Sequence, residues 1–326
     1  MDPFSHTSGL ISLTNRTRLR SAQRSRSALL WLCAACLMLV FAGDTQGQLF
    51  NGSAKKLFSR NEVSPIPNAF SKTPTQQELI RLLQQRQSNF KQLSSDIIVS
   101  MDGLPKLRGS MQMELPRRLR VKAGVMGVSQ FGVDVGSNND LFWVWTKVNL
   151  PGQRPAVFYS THEDFKNSSS QIRQAIPLEP VWLVEGLGLI EFLPGDVHHG
   201  PIKSPDGFLK LYTVRQTASE KTTRVITLHP TQGVVLQQAL YDDKQNLIAY
   251  TNTSKYRWFQ ERRISLPENI DMFLLQGGQR MKMAIEFSDF KFDSLFGDPD
   301  LMWTVKPPAD VPTIDLSKVG VSAAKR

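Results

Sequence analysis

Residues able to hold a metal or move protons are sparse in this 326-residue chain, which has five histidines and two cysteines. His198-His199 beside Asp196 is the one cluster of metal-ligating residue types. Adjacent histidines point in different directions and zinc needs three or four convergent ligands, so a solvated loop is the expectation there. His229 stands too far along the chain to complete a set from spacing alone. Motifs of covalent or phosphoryl chemistry are missing: there is no Gly-x-Ser-x-Gly, no His-Glu-x-x-His and no Gly-rich phosphate loop. Cys33 and Cys36 both lie in an apolar run near the amino terminus, which leaves no thiol in the rest of the chain. Glu163-Asp164 and Asp242-Asp243 fall in turn-like contexts, where carboxylates are simply solvated. The expectation is a binder with no cofactor and no metal, not an enzyme.

The remaining chemistry is apolar. Met111 and Met113, Trp143 and Trp145, and Met281, Met283, Ile285 and Phe287 recur at every second position. Leu187 and Leu189 lie in the greasiest stretch, Trp182 to Phe192, which reads as a lid hinged at Gly186 and Gly188, as a loop inserting into a membrane, or as an ordinary buried helix end. Methionine is unbranched and adaptable, which suits a wall meeting flexible acyl chains. Each methylene buried there contributes roughly 0.8 kcal/mol. Two arrangements satisfy the pattern: these ten residues line an apolar cavity, or they fill a sandwich core.

The elements that must position them follow from periodicity. Thr73 begins a helix with Pro74 at its first position, where a missing N–H costs nothing, and Leu79, Leu82, Leu83 and Phe90 follow at helical spacing. From about residue 92 the period changes to two. Leu107 to Leu115, Leu119 to Val125, Phe131 to Val135 and Leu141 to Val148 read as adjacent antiparallel strands. Residues 161–205 interrupt the meander with helical spacing at Glu163 to Ala175 and Leu178 to Gly188. Strands resume at Phe208 and end with Met281 to Phe292. The sum is about ten strands, one amino-terminal helix and one helical insertion, within a domain spanning 74–299. Residues 48–73 read as a flexible leader and 300–326 as an irregular tail. A sheet this wide must curl. The fold expected is α+β and mainly antiparallel: an open, curved β half-barrel with covering helices around an apolar cavity.

Several short motifs occur in a telling order. Arg86-Gln87-Ser88-Asn89-Phe90-Lys91-Gln92-Leu93 ends the helix, and a Gly-x-Met-x-Met-x-Leu-Pro strand spans Gly109 to Pro116. An Arg-x-Arg strand, a Phe-Trp-x-Trp strand at Phe142 to Trp145, and Leu295-Phe296-Gly297-Asp298-Pro299 complete the series. This order resembles the periplasmic lipoprotein-localisation carriers and their outer-membrane receptors. The resemblance implies an open half-barrel whose helices lid a hydrophobic cavity for lipoprotein acyl chains. The insertion at 161–205 departs from that pattern.

Export is the expectation for localisation. Arg16, Arg18, Arg20, Arg24 and Arg26 precede the apolar run Ala28 to Ala42, and small and polar residues follow. The run is short of the roughly 20 residues a spanning helix needs, so residues 1–47 read as a signal peptide. Lipidation at Cys36 is the alternative, but the apolar run continues beyond it. Removing 1–47 deletes five arginines and two aspartates, taking the formal charge from +10 to +7. That balance favours acidic partners or an anionic membrane surface, and no arginine-rich helix points to nucleic acid. The function expected is an envelope protein that binds a lipid or acylated protein. A structural or protein-interaction domain without a cavity is the alternative.

Overall fold

Apolar and polar residues alternate along most of the strands between Gln92 and Phe292, which form one large sheet. The computed structural model describes residues 65–101, 104–147, 154–166, 179–180, 182–217, 221–276, 279–295 and 297–318. Its first meander comprises β1 (Gln92–Met101), β2 (Leu107–Glu114), β3 (Arg118–Val125), β4 (Val128–Ser137), β5 (Leu141–Thr146) and β6 (Ala156–Thr161). The second comprises β7 (Val197–Lys203), β8 (Leu209–Gln216), β9 (Lys221–Leu228), β10 (Val235–Tyr241), β11 (Leu247–Phe259), β12 (Ile264–Gln276) and β13 (Gln279–Phe292). A short β14 (Thr313–Asp315) closes the series.

The spatial order is β14-β6-β5-β4-β3-β2-β1-β13-β12-β11-β10-β9-β8-β7. The two meanders therefore run outward from a seam where β1 meets β13 antiparallel, with Ile97 opposite Phe287 and Val99 opposite Ile285. The sheet ends at β14 and β7 and is open, as the curved half-barrel expectation required. One face, here called inner, carries Leu93, Ile97, Met111, Met113, Leu119, Val121, Ile270, Ile285 and Phe287 in a single buried cluster.

Helix α1 (Gln76–Ser88) covers the inner face of the second meander: Leu79 and Leu83 pack with Leu209, Leu211, Ile226, Leu228 and Val235. Its start is fixed by a capping box in which the Thr75 hydroxyl accepts from the Glu78 N–H while the Glu78 carboxylate accepts from the Thr75 N–H. Two further helices are short, α2 (His162–Lys166) and α3 (Trp182–Gly186).

Three segments differ from expectation. The helical insertion is only partly helical, since residues 197–203 form β7. Part of the expected leader is docked: the Ala69 and Phe70 N–H groups donate to Thr231 O at 2.8 and 2.9 Å. The expected tail forms a short helix, α4 (Pro299–Met302), and then β14, which pairs parallel with β6 and places Leu316 among Phe142, Phe158 and Phe165. The signal segment and both cysteines lie outside the described residues.

Candidate functional site

The segment Trp182 to Ile190 enters the inner face and plugs it. Trp182, Val184, Leu187, Leu189 and Ile190 are buried. Val184, Leu187 and Leu189 join the cluster of Met111, Met113, Ile285 and Phe287, while Trp182 packs with Met272 and Ala249. Helix α3 stops after one turn because Gly188 adopts φ +86°, a left-handed conformation that turns the chain back along the sheet. The wall beneath is rich in sulfur. Strand register aligns Met101 with Met283 and Met283 with Met272, and places Met281 opposite Leu274. Together with Met111 and Met113, six of the chain's ten methionines share this face.

Polar contacts anchor the plug. Arg224 on β9 grips the Glu185 carboxylate in a fork, Nη1 to Oε1 and Nη2 to Oε2, each at 2.7 Å. Gln238 on β10 donates from Nε2 to Glu185 O at 2.5 Å. At the far end, Arg215 clamps Asp196 at 2.8 and 2.7 Å and donates to Glu191 O at 3.0 Å. Burial alone would raise the Asp196 carboxyl, but the Arg215 guanidinium overrides it and holds the group below the usual range. The seat is still incompletely satisfied. Trp182 Nε1, Gln238 Oε1 and Thr251 Oγ1 are buried without a hydrogen-bond partner among the described residues, and each such atom costs about 1–3 kcal/mol.

With the plug in place its apolar side chains are buried against the inner face. A void of about 10 Å³ remains between Leu187, Leu189, Val235, Tyr256 and Ile264, too small to hold more than a single water. Beside it Arg86 donates to Gly233 O at 2.6 Å and Gln232 O at 2.8 Å, tying α1 to the β9–β10 turn. Burial pushes its guanidinium down to about 10.

Of the ten residues expected at the site, Met111, Met113, Leu187, Leu189, Ile285 and Phe287 are buried in one cluster. Met281 and Met283 share their face and are half-buried. Trp143 and Trp145 do not join them. Val144 stands opposite Val135 on the inner side, so both tryptophans occupy the outer face of β5. There Trp143 Nε1 donates to Asp134 Oδ1 at 3.3 Å, and Asp134 is clamped by Arg120 at 3.1 and 2.9 Å. The indole lies against Gly136, where a Cβ would fall 2.1 Å from Trp143 Cζ2, so only glycine fits. Periodicity gave no warning, because both faces of β5 are covered and every position of Leu-Phe-Trp-Val-Trp is apolar.

Spacing also missed Glu185, Arg224 and Gln238, whose types were ordinary and whose separation in sequence is large. It missed a buried Ser-His-Glu arrangement as well. Ser137 Oγ lies 3.4 Å from His162 Nε2, and His162 Nδ1 lies 2.7 Å from Glu179 Oε2. Ser137 is 0% exposed and Nε2 is engaged with Asn138 O at 2.9 Å, so the serine faces no solvent and lacks a free base. The pair His198-His199 splits across β7: His198 meets Thr213 Oγ1 at 3.0 Å and the Phe192 ring, while His199 is exposed. Among the described residues no three His, Cys, Asp or Glu side chains converge as metal ligands.

No family model matches the chain, and no curated protein matches it. Solved structures do align with it. One, described as an outer membrane lipoprotein-sorting protein domain from Vibrio parahaemolyticus, aligns at 11% identity and TM-score 0.47, covering 68% of this chain and 94% of that one. A DUF1329 family protein from Desulfovibrio piger aligns at 12% identity and TM-score 0.43, over 68% and 93% of the two chains. A LolA superfamily protein from Nitrosomonas europaea aligns at 13% and 0.41, over 69% and 97%. The family suggested by the motifs is thus among the structural neighbours. The likeness is distant. Likenesses at these identities and TM-scores carry no argument about function, which must come from this chain's own residues.

Proposed function

We propose that the protein is an exported envelope carrier that binds an acyl chain of a lipid or lipoprotein against the methionine-rich inner face when the Trp182–Ile190 plug swings away. It is a binder and not an enzyme. The observation that carries this reading is the plug itself. Its apolar side chains fill the place an acyl chain would take, yet its seat leaves Trp182, Gln238 and Thr251 with unpaired polar atoms. A segment held by ion pairs and incompletely satisfied can exchange for a ligand that supplies equivalent apolar contact. Membrane contact has a physical basis in the β3–β4 turn, where Met126 is 73% and Val128 48% exposed.

Met283→Glu tests the site. The carboxylate would face Met101 and Met272 across the wall, where a charge without a partner is costly. The expected result is loss of fluorescent fatty-acid uptake with the far-ultraviolet spectrum preserved. Normal uptake by the folded variant would remove the inner face from the binding role.

The burial of the plug favours a second reading, an envelope interaction domain in which Trp182–Ile190 is permanent core. Native mass spectrometry of protein from an envelope fraction separates the two. A bound lipid or acylated peptide supports the carrier. A bare chain that also refuses a fluorescent fatty acid supports the interaction domain.

A further inference from the structure

The outer face of the first meander carries an arrangement that the plugged site does not use. Arg108 on β2 stands opposite Gly124 on β3, and Gly124 stands opposite Gly132 on β4. Just beyond β5, the Lys147 N–H donates to Gly132 O at 2.9 Å. Across four strands the row reads cation, glycine, glycine, cation. Lys122 lies one step further along the same face, opposite Ser110. A cleft of about 540 Å³ opens over this row, and Arg108, Lys122, Gly124, Gly132 and Lys147 all line it.

Three properties suit this cleft to an anion. Its floor at the two glycines is bare backbone, which lets a ligand approach the sheet closely. No carboxylate is among its lining residues. Arg108, Lys122 and Lys147 form no ion pair among the described residues, although the Lys147 ammonium rests 4.4 Å from the Trp145 ring centre. The one acid that Lys122 senses, Asp134, already has both oxygens bound by Arg120. Burial and then the neighbouring Arg120 and Lys147 hold the Lys122 ammonium below its ordinary value. Positive charge is thus crowded here, and an anion would relieve it.

We propose that this cleft is a second binding site, for a phosphate-bearing group: three cations would surround the phosphate while the attached organic part lies over the glycine floor. The volume supports a ligand larger than phosphate itself, because clefts for small organic ligands fall in the range of roughly 300–1,000 Å³. A glycerol phosphate or a sugar phosphate has the right chemistry, whether free in solution or displayed as the headgroup of a membrane lipid. The site lies on the opposite face from the plug and does not depend on acyl-chain binding.

The test is calorimetric titration of the purified full-length chain with inorganic phosphate and with glycerol 1-phosphate, alongside flotation with vesicles that contain or lack phosphatidylglycerol. Saturable binding of glycerol 1-phosphate is expected, weakened at least tenfold in R108Q/K147Q at an unchanged melting temperature, and weakened by added salt. K122Q, a single change, gives the same readout should the double variant fail to fold. Flotation that requires phosphatidylglycerol and is competed by glycerol 1-phosphate assigns the site to a lipid headgroup. Binding of the phosphate probes without flotation assigns it to a soluble ligand. Absence of binding by the native chain, or native-like binding by a folded charge variant, overturns the proposal.

Discussion

Glu185 is 6% exposed and forms its ion pair with Arg224, so the pair behaves as a buried unit. Removing one member strands the other in a poorly solvated place, which typically costs about 3–5 kcal/mol. Glu185→Gln should therefore lower the urea midpoint substantially, whereas Glu185→Leu combined with Arg224→Leu should recover most of the loss. A midpoint within error of wild type for the single variant would mean the pair is solvated and holds nothing. His162 supplies a pH-dependent term of opposite character to a carboxylate. Burial lowers its affinity for the proton, but the hydrogen bonds to Glu179 and Asn138 O outweigh burial and the repulsion of Arg117, so the net shift is upward from 6.5. The folded state then binds this proton more tightly than the unfolded chain. Its contribution to stability is complete below the ordinary value and is lost as pH rises through the folded one. Urea midpoints measured from about pH 5.5 to about pH 8.5, the range in which histidine titrates, should decline for the native chain. They should stay flatter for His162→Gln. Neither residue stood out in the sequence. A lone glutamate in a greasy run and a lone histidine after a strand acquire their roles only from partners 17 to 53 residues away.

At the scale of elements, what could be read was what has a period. Met111 and Met113, Leu119 to Ala123 and Met281 to Phe287 alternate with polar or small residues that face away from the core, and each was found on the inner face. Helix α1 was legible from its leucine spacing for the same reason, although its start was not: the cap is Thr75, so Pro74 precedes the helix instead of opening it. The plug's helical spacing was legible but its burial was not. Trp182 to Ile190 is apolar apart from Glu185, and its single helical turn, Trp182–Gly186, gives way to the left-handed Gly188. Whether it leaves the sheet can be tested by tethering it. A Cβ on Gly186 would lie 3.9 Å from Thr251 Cγ2 on β11, so Gly186→Cys and Thr251→Cys place two thiols in neighbouring positions for an engineered disulfide. If ligand entry requires the plug to move, the oxidised double variant should lose fatty-acid uptake and regain it on reduction. Equal uptake in both redox states would mean that ligand binds without displacing the plug.

At the scale of the whole molecule, the carboxy-terminal segment binds the far end of the first meander to the rest. Arg120 Nη1 donates to Leu301 O at 3.0 Å and Met302 O at 2.8 Å, and Asn138 Nδ2 donates to Trp303 O at 3.1 Å. Further on, β14 covers the edge of β6 and Leu316 completes the apolar cluster of Phe142, Phe158 and Phe165. None of this was visible as a strand pattern. A three-residue parallel strand has no period of its own, and its partner lies more than 150 residues earlier. Deletion of residues 297–326 would leave the Arg120 guanidinium without its carbonyl acceptors, uncover the outer face around Trp143 and expose an apolar edge strand. The second meander makes none of these contacts and keeps its own helix, α1, over its inner face. The expected outcome is therefore regional. Amide hydrogen exchange should accelerate in β4, β5 and β6 while β8 to β12 retain native protection, and the truncated chain should associate through the uncovered β6 edge. Uniform acceleration across both meanders would instead mean that the β1–β13 seam transmits the loss, and that the fourteen strands open as a single cooperative unit.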